Sequence, residues 1–330
     1  MQRLCQARRS RARTPGIGDV EYSACMQPHP PTGNFSPAPD PAQQPPAWGP
    51  PAPAPPRGLS PWGPPARHSW EIALLVTVVV VTALLYVLSS LLIVFGVLNQ
   101  LVVVVLAAPI IIYFGRGMLY ARQRLNGVQM SPTQFPDGYR LVQEAAARFG
   151  MAEVPDAYVI LGNGQINAFA SGHGFRRFVV VYSDLFEVGG VAREPDALAF
   201  IIGHEVGHIA AGHLSYWRQL GMFAGQFLPI LGASLIRAQE YTADNHGFCN
   251  RPAGAAPAMG TLGAGKYLNR LVGFDELADR SMRERGFFVW LVNATSSHPV
   301  LTWRANALRD RTRHGKLFWR PDPPQQQFWQ

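Results

Sequence analysis

Residues 197–214 read ALAFIIGHEVGHIAAGHL. Small and apolar residues fill this run apart from three His and one Glu, a composition that predicts a largely buried helix. Pro195, just ahead of it, suits a first helical turn, where its missing N–H costs nothing; the helix is therefore expected from Pro195 to about Leu214. Within it, His204-Glu205-Val206-Gly207-His208 sets two imidazoles at i and i+4, on one helix face. Both can point at a single zinc ion, with Glu205 as general base toward water at that ion. Buried without partners, the same three side chains would cost several kcal/mol.

A catalytic zinc needs a third protein ligand and an open position. One known continuation of the motif places Gly and His at +7 and +10 from the first His, but Ala211 and Leu214 stand there. On a straight helix His213 lies roughly 140° round from His208, so it reads as a capping or supporting group. The better third ligand is Glu240, in the run Arg237–Asp244 (RAQEYTAD). Glu240 and Asp244 share a face at i and i+4, so one can ligate while the other accepts the N–H of a ligating imidazole.

The order of these motifs resembles the HtpX-like membrane zinc metallopeptidases, gluzincin-type relatives of the CAAX prenyl proteases. The resemblance is carried by HEVGHIAAGH (204–213), RAQEYTAD (237–244), Ser297-His298-Pro299 with Arg304 downstream, and Asn167-Ala168-Phe169-Ala170 ahead of VVVYSDLF. It implies His204, His208 and Glu240 as ligands of one zinc, Glu205 as catalytic base and Asp244 as the orienting carboxylate. It further implies His298 near the reacting carbonyl, Arg304 in an ion pair close by, and Asn167–Ala170 as a substrate-binding edge. The chain departs from the family at Ile236, where Ser is common. Its insert between the ligand helices is also short, Glu240 following His208 by only 32 residues, too few for two membrane passes.

Outward from the motif the composition changes abruptly. Residues 72–115 contain no Asp, Glu, Lys, Arg or His over 44 positions. As helix that is roughly 66 Å against a hydrocarbon core of about 30 Å, which predicts a transmembrane hairpin (about 72–95 and 98–115) turning at Gly96–Gln100. Arg57, Arg67, Arg116, Arg122 and Arg124 flank it and favour the cytoplasmic side for both ends. Residues 219–236 lack charge as well, and read as a membrane-contacting element or a core helix. Residues 1–69 open with an arginine cluster, and residues 28–65 hold 16 of the 29 prolines, which predicts a disordered, unpacked spacer, with display of its Pro-rich sequence to a partner as the second reading; residues 316–330 read as a second disordered tail.

The expected fold is therefore α+β: a mainly helical zincin-like domain over 116–315, with a small antiparallel sheet from Tyr158–Leu161, Ile166–Ala170 and Phe178–Tyr182, behind the hairpin. Only 15% of residues are charged, against about 25% in soluble domains, which excludes a plain soluble enzyme. The net charge of +8 comes from scattered arginines without a basic stripe, giving no nucleic-acid partner. Three cysteines without metal spacing give no disulfide framework. Together these readings lead us to expect a multi-pass protein of the cell (inner or plasma) membrane, its N-terminus and catalytic domain cytoplasmic. The bilayer and unfolded or membrane-protein polypeptides would be its partners, and membrane-protein quality control its role. CAAX-type processing, or a non-catalytic scaffold displaying the Pro-rich tail, are the alternatives.

Overall fold

Charge-free sequence becomes two long helices, α1 (Glu71–Val94) and α2 (Gln100–Asn126). The connection falls at Phe95–Asn99, where the Asn99 side chain caps α2 by accepting the Val102 N–H. Both helices are long and apolar enough to cross a membrane, and only 22% and 17% of their most apolar stretches are covered by protein. Beyond Gly115, α2 continues into its polar end, RGMLYARQRLN, and rests on the globular part of the chain. The computed structural model describes residues 59–187 and 192–321; most of the N-terminal tail and the last nine residues lie outside that description.

The globular part is mostly helical with one four-stranded sheet. Pro136 and Pro195 open α3 (Pro136–Arg148) and α4 (Pro195–Ala210) at their first turns. After α4 come the short α5 (Tyr216–Gly221), the long α6 (Pro229–Asn250) and four helices that close the domain: α7 (Ala255–Leu268), α8 (Phe274–Arg283), α9 (Phe287–Thr295) and α10 (Leu301–Arg309). The sheet comprises β1 (Val128–Gln129), β2 (Asp156–Ile160), β3 (Ala168–His173) and β4 (Arg176–Tyr182), in the order β1-β2-β4-β3. It is mixed, not antiparallel: β2 pairs with β4 in parallel. The reason is burial, since Phe178–Val181 are fully enclosed and β4 takes the centre, leaving the small residues of β3 at an edge.

Helix α4 runs through the principal core, where Leu198, Phe200, Ile202 and Val206 pack with Val179, Val181, Met259 and Leu308. Its closest neighbour is α6. Gly207 makes that approach possible, because a Cβ there would stand 2.4 Å from the His246 Cβ. Residues 219–236 do not form a third crossing helix. They make α5, a 3₁₀ turn (Phe223–Gln226) and the start of α6, packed against the hairpin. The Ala224 N–H donates to Thr82 Oγ1, and Val105 and Ala108 enclose Phe223. Packing also extends past both expected domain edges. Leu59 and His68 are buried ahead of the hairpin and Leu317 after the last helix; Leu317 joins Leu74, Val78, Leu235 and Tyr241 in a second apolar cluster.

Candidate metal centre and active-site cleft

The i, i+4 spacing in α4 and the single ligand candidate of α6 converge on one point. His204 Nε2 and His208 Nε2 lie 3.2 Å apart, and the Glu240 carboxylate sits 3.3 Å from the first and 3.4 Å from the second. Metal–ligand bonds of 2.0–2.2 Å in a tetrahedral arrangement imply ligand-to-ligand edges of about 3.3–3.6 Å, so the donor set fits a zinc-sized ion. Among the described residues, this is the group of His, Cys, Asp and Glu side chains able to hold a metal.

Electrostatics favour positive charge at that point. Burial alone would lower His204, but its hydrogen bond to Asp244, the contact with Glu240 and the charge of both carboxylates lift it to about 10. Burial would likewise raise Glu240, yet the two imidazoles hold it well below the usual carboxylate range. A cation coordinated by the same atoms meets the same field.

Each imidazole has its second nitrogen engaged. His204 Nδ1 donates to Asp244 Oδ1 at 2.9 Å, and Asp244 is gripped by both arms of Arg304, at 2.9 Å from Nε and 2.6 Å from Nη2. Burial opposes the Asp244 charge, but Arg304 and His204 outweigh it and bring the carboxyl to about 2. His208 Nδ1 lies 2.8 Å from His213 Nδ1. That contact corrects the straight-helix geometry expected for His213. Helix α4 ends at Ala210, Gly212 turns left-handed with φ of 75°, and the His213 N–H donates back to the His208 carbonyl at 3.0 Å. This is a Schellman closure, which stacks the second residue past the cap on the third before it. Gly at 212 was the sequence signal for it. Burial pushes His213 down to about 4, leaving it neutral near pH 7.

The three ligand candidates form the floor of a cleft of about 330 Å³, whose walls include Glu205, Asn167–Ala170, His298 and Arg304. His298 stands at the rim, largely exposed, its Nε2 3.5 Å from Glu240 Oε1 and its Nδ1 3.1 Å from Ser297 Oγ. A residue without an assigned role in the sequence fixes that rim: Arg237, wholly buried in α6, donates to the carbonyls of Ala294 and Ser296 at 2.9 Å each. On the opposite wall β3 is an edge strand. The Tyr182 N–H donates to the Asn167 carbonyl, while Arg116 takes the Gly172 carbonyl. Strand alternation then turns the main-chain groups of Ala168 and Ala170 toward the open edge.

Over residues 132–233 the chain matches the model of Peptidase family M48. The match takes in α3, β2 to β4 and all of α4 and ends seven residues before Glu240, so His204, His208 and Glu205 lie inside it. It supports an M48 metallopeptidase family and a hydrolytic, metal-dependent site. No curated protein matches the chain.

Proposed function

We propose that the protein is a membrane-anchored zinc endopeptidase of the HtpX-like type. The observation that carries this reading is the convergence of His204 Nε2, His208 Nε2 and the Glu240 carboxylate within 3.2–3.4 Å of one another on a cleft that also holds Glu205. When bound there, zinc supplies Lewis acidity toward water and the scissile carbonyl. Glu205, next to the ligand in sequence, takes the proton from the attacking water and passes it to the departing amine. His298 at the rim donates toward the oxygen on which charge develops. Asp244 and Arg304 hold the first imidazole in its ligating tautomer. An extended substrate adds as a strand along Ala168 and Ala170, a mode that selects unfolded segments over folded ones.

The anchoring rests on the two apolar helices and on the arginines at their ends, which favour a cytoplasmic cleft. The cleft's open strand edge suits unfolded stretches of membrane proteins, the substrate class of a quality-control protease. The partner of the Pro-rich tail belongs to residues outside the description. One experiment separates an enzyme from a scaffold: zinc content and casein hydrolysis of the wild type beside Glu205→Gln. The expected result is about one zinc per chain in both, with hydrolysis in the wild type alone; equal hydrolysis in the variant would refute the mechanism. Reporter fusions at residues 60 and 125 test the hairpin, and signals from opposite sides of the membrane would reject it.

A further inference from the structure

The first residue of the membrane hairpin reaches the candidate metal centre. Glu71 is completely buried, and its Oε1 accepts from His213 Nε2 at 3.2 Å, from Arg218 Nη2 at 2.6 Å and from Arg67 Nη1 at 3.0 Å. Its other oxygen accepts from the hydroxyl of Thr242, two residues past Glu240 on α6. A fully buried carboxylate is costly unless it is paired and hydrogen-bonded. Such a group therefore has to be explained, and packing alone does not explain the direction in which His213 points.

With one proton on each of the two rings, donors and acceptors permit one arrangement. The Glu71 carboxylate can only accept, so His213 carries its proton on Nε2 and presents a bare Nδ1. Opposite that nitrogen, at 2.8 Å, is His208 Nδ1, which must then be the donor. The lone pair of His208 is thereby placed on Nε2, the atom that faces His204 Nε2 and Glu240. We infer that Glu71, acting through His213, positions His208 and fixes its tautomer for metal binding. The hairpin's first residue then holds one ligand of the centre as Asp244 holds the other. This inference rests on the zinc reading of the preceding section. Glu71 and His213 are positioning residues, neither of them touching the reacting atoms.

Two substitutions at one position separate this role from simple packing. In His213→Asn the side-chain oxygen stands near the former Nδ1 and still accepts from His208, but the link to Glu71 is cut. In His213→Gln the amide N–H₂ stands near the former Nε2 and still donates to Glu71, but the acceptor opposite His208 is lost. The full chain in lipid nanodiscs is titrated with Zn²⁺ against a chelating dye, and thermal unfolding is followed in parallel. His213→Gln is expected to bind zinc about 10- to 100-fold more weakly than wild type, the usual cost of losing a group that orients a ligand, and His213→Asn only a few-fold more weakly. Unfolding temperatures are expected in the opposite order, because Gln keeps the partner of a buried charge.

Zinc affinities that are unchanged in both variants, or that follow the unfolding temperatures, overturn the inference. Should either variant fail to fold, Glu71→Gln decides: zinc bound about threefold more weakly or worse supports the relay, and unchanged affinity removes it. The wild type and His208→Ala are titrated alongside. If the wild type takes up no zinc, or His208→Ala keeps it, the metal reading itself fails; zinc lost in His208→Ala yet held by every His213 and Glu71 variant fails the relay alone.

Discussion

Two carboxylates stand behind the two imidazoles of the candidate centre, and they are built differently. Asp244 touches His204 directly, and it comes from the same helix as Glu240, four residues on. Arg304 closes that arm with two hydrogen bonds. Glu71 reaches His208 only through His213, and Glu71 and His213 stand 142 positions apart in the chain. Its counter-charges, Arg67 and Arg218, come from the approach to the hairpin and from α5. The first arm lies wholly within the globular part, whereas the second ties that part to the apolar hairpin. Every contact of the Asp244 arm lies outside the hairpin, whereas without the hairpin His213 would lose its acceptor. The two arms therefore differ in what breaks them.

The direct arm is expected to be the more costly to break. Asp244→Ala removes the partner of a buried guanidinium and of His204 together, and losing one side of a buried pair costs about 3–5 kcal/mol. Chemical denaturation of purified protein measures this, with Asp244→Asn as the control that retains an acceptor. A loss of under about 1 kcal/mol would mean that Arg304 finds other partners and that the arm is not closed.

Acid tests the buried histidines around both arms. His68 packs beside α6 on Tyr241 and His246 sits against Gly207; burial brings each from 6.5 to about 4. With the folded pKa below the unfolded one, the unfolded chain binds more protons between about pH 4 and 6.5, so stability rises with pH across that window and levels off above it. Each group is worth on the order of 3 kcal/mol between the two ends. Unfolding temperature measured from neutral pH to about pH 4.5 is expected to fall, and His68→Gln to flatten the fall. A curve that stays level over the window would show that both rings take up protons in the folded state as they do in the unfolded chain.

Gly207→Ala acts on both arms at once by forcing α4 away from α6. Its Cβ would meet the His246 Cβ at 2.4 Å, and neither backbone can yield cheaply. Overpacking of this kind costs about 1–3 kcal/mol, and it spreads Glu240 from the histidines, so zinc affinity falls together with stability. Dye titration and denaturation on the same sample read both effects. Zinc held at wild-type affinity in a destabilised Gly207→Ala would show that helix spacing does not set ligand spacing.

How much of this could be read from the chain follows the same division. His204, His208, Glu240 and Asp244 were legible because helical periodicity relates each pair over four residues, and local geometry needs no tertiary knowledge. The hairpin was legible from the absence of charge between 72 and 115. His213 was half legible: the straight-helix projection misplaces it, while Gly212 carries the turn that brings it back to His208. Glu71 was not legible, because a charge next to an apolar run reads as an interfacial flank, and only the fold brings α5, α6 and the end of α4 around it. The parallel pairing of β2 with β4 was hidden for a related reason, since the residues of β3 that lie between them in sequence end up at the edge. Leu59 was obscured by its Pro-rich surroundings, although the Arg311 side chain takes its carbonyl and its side chain is buried.

The smallest expected effect decides which cation anchors the relayed arm. Arg218 is almost enclosed and lies 2.6 Å from Glu71, whereas the Arg67 side chain is 43% exposed at 3.0 Å. Solvent screens the second pair, and exposed ion pairs contribute about 1 kcal/mol or less. Arg67 also donates to the Ala211 carbonyl at 2.8 Å, a contact that water can replace at this partly open position. Arg67→Ala is therefore expected to lower stability by no more than about 1 kcal/mol and to leave zinc affinity within about twofold of wild type. The matching Arg218→Ala variant strips the buried partner and should exceed both limits. If Arg67→Ala instead proves the more damaging of the two, the Glu71 carboxylate is held chiefly from the N-terminal approach to the hairpin, and the relayed arm begins ahead of the apolar helices.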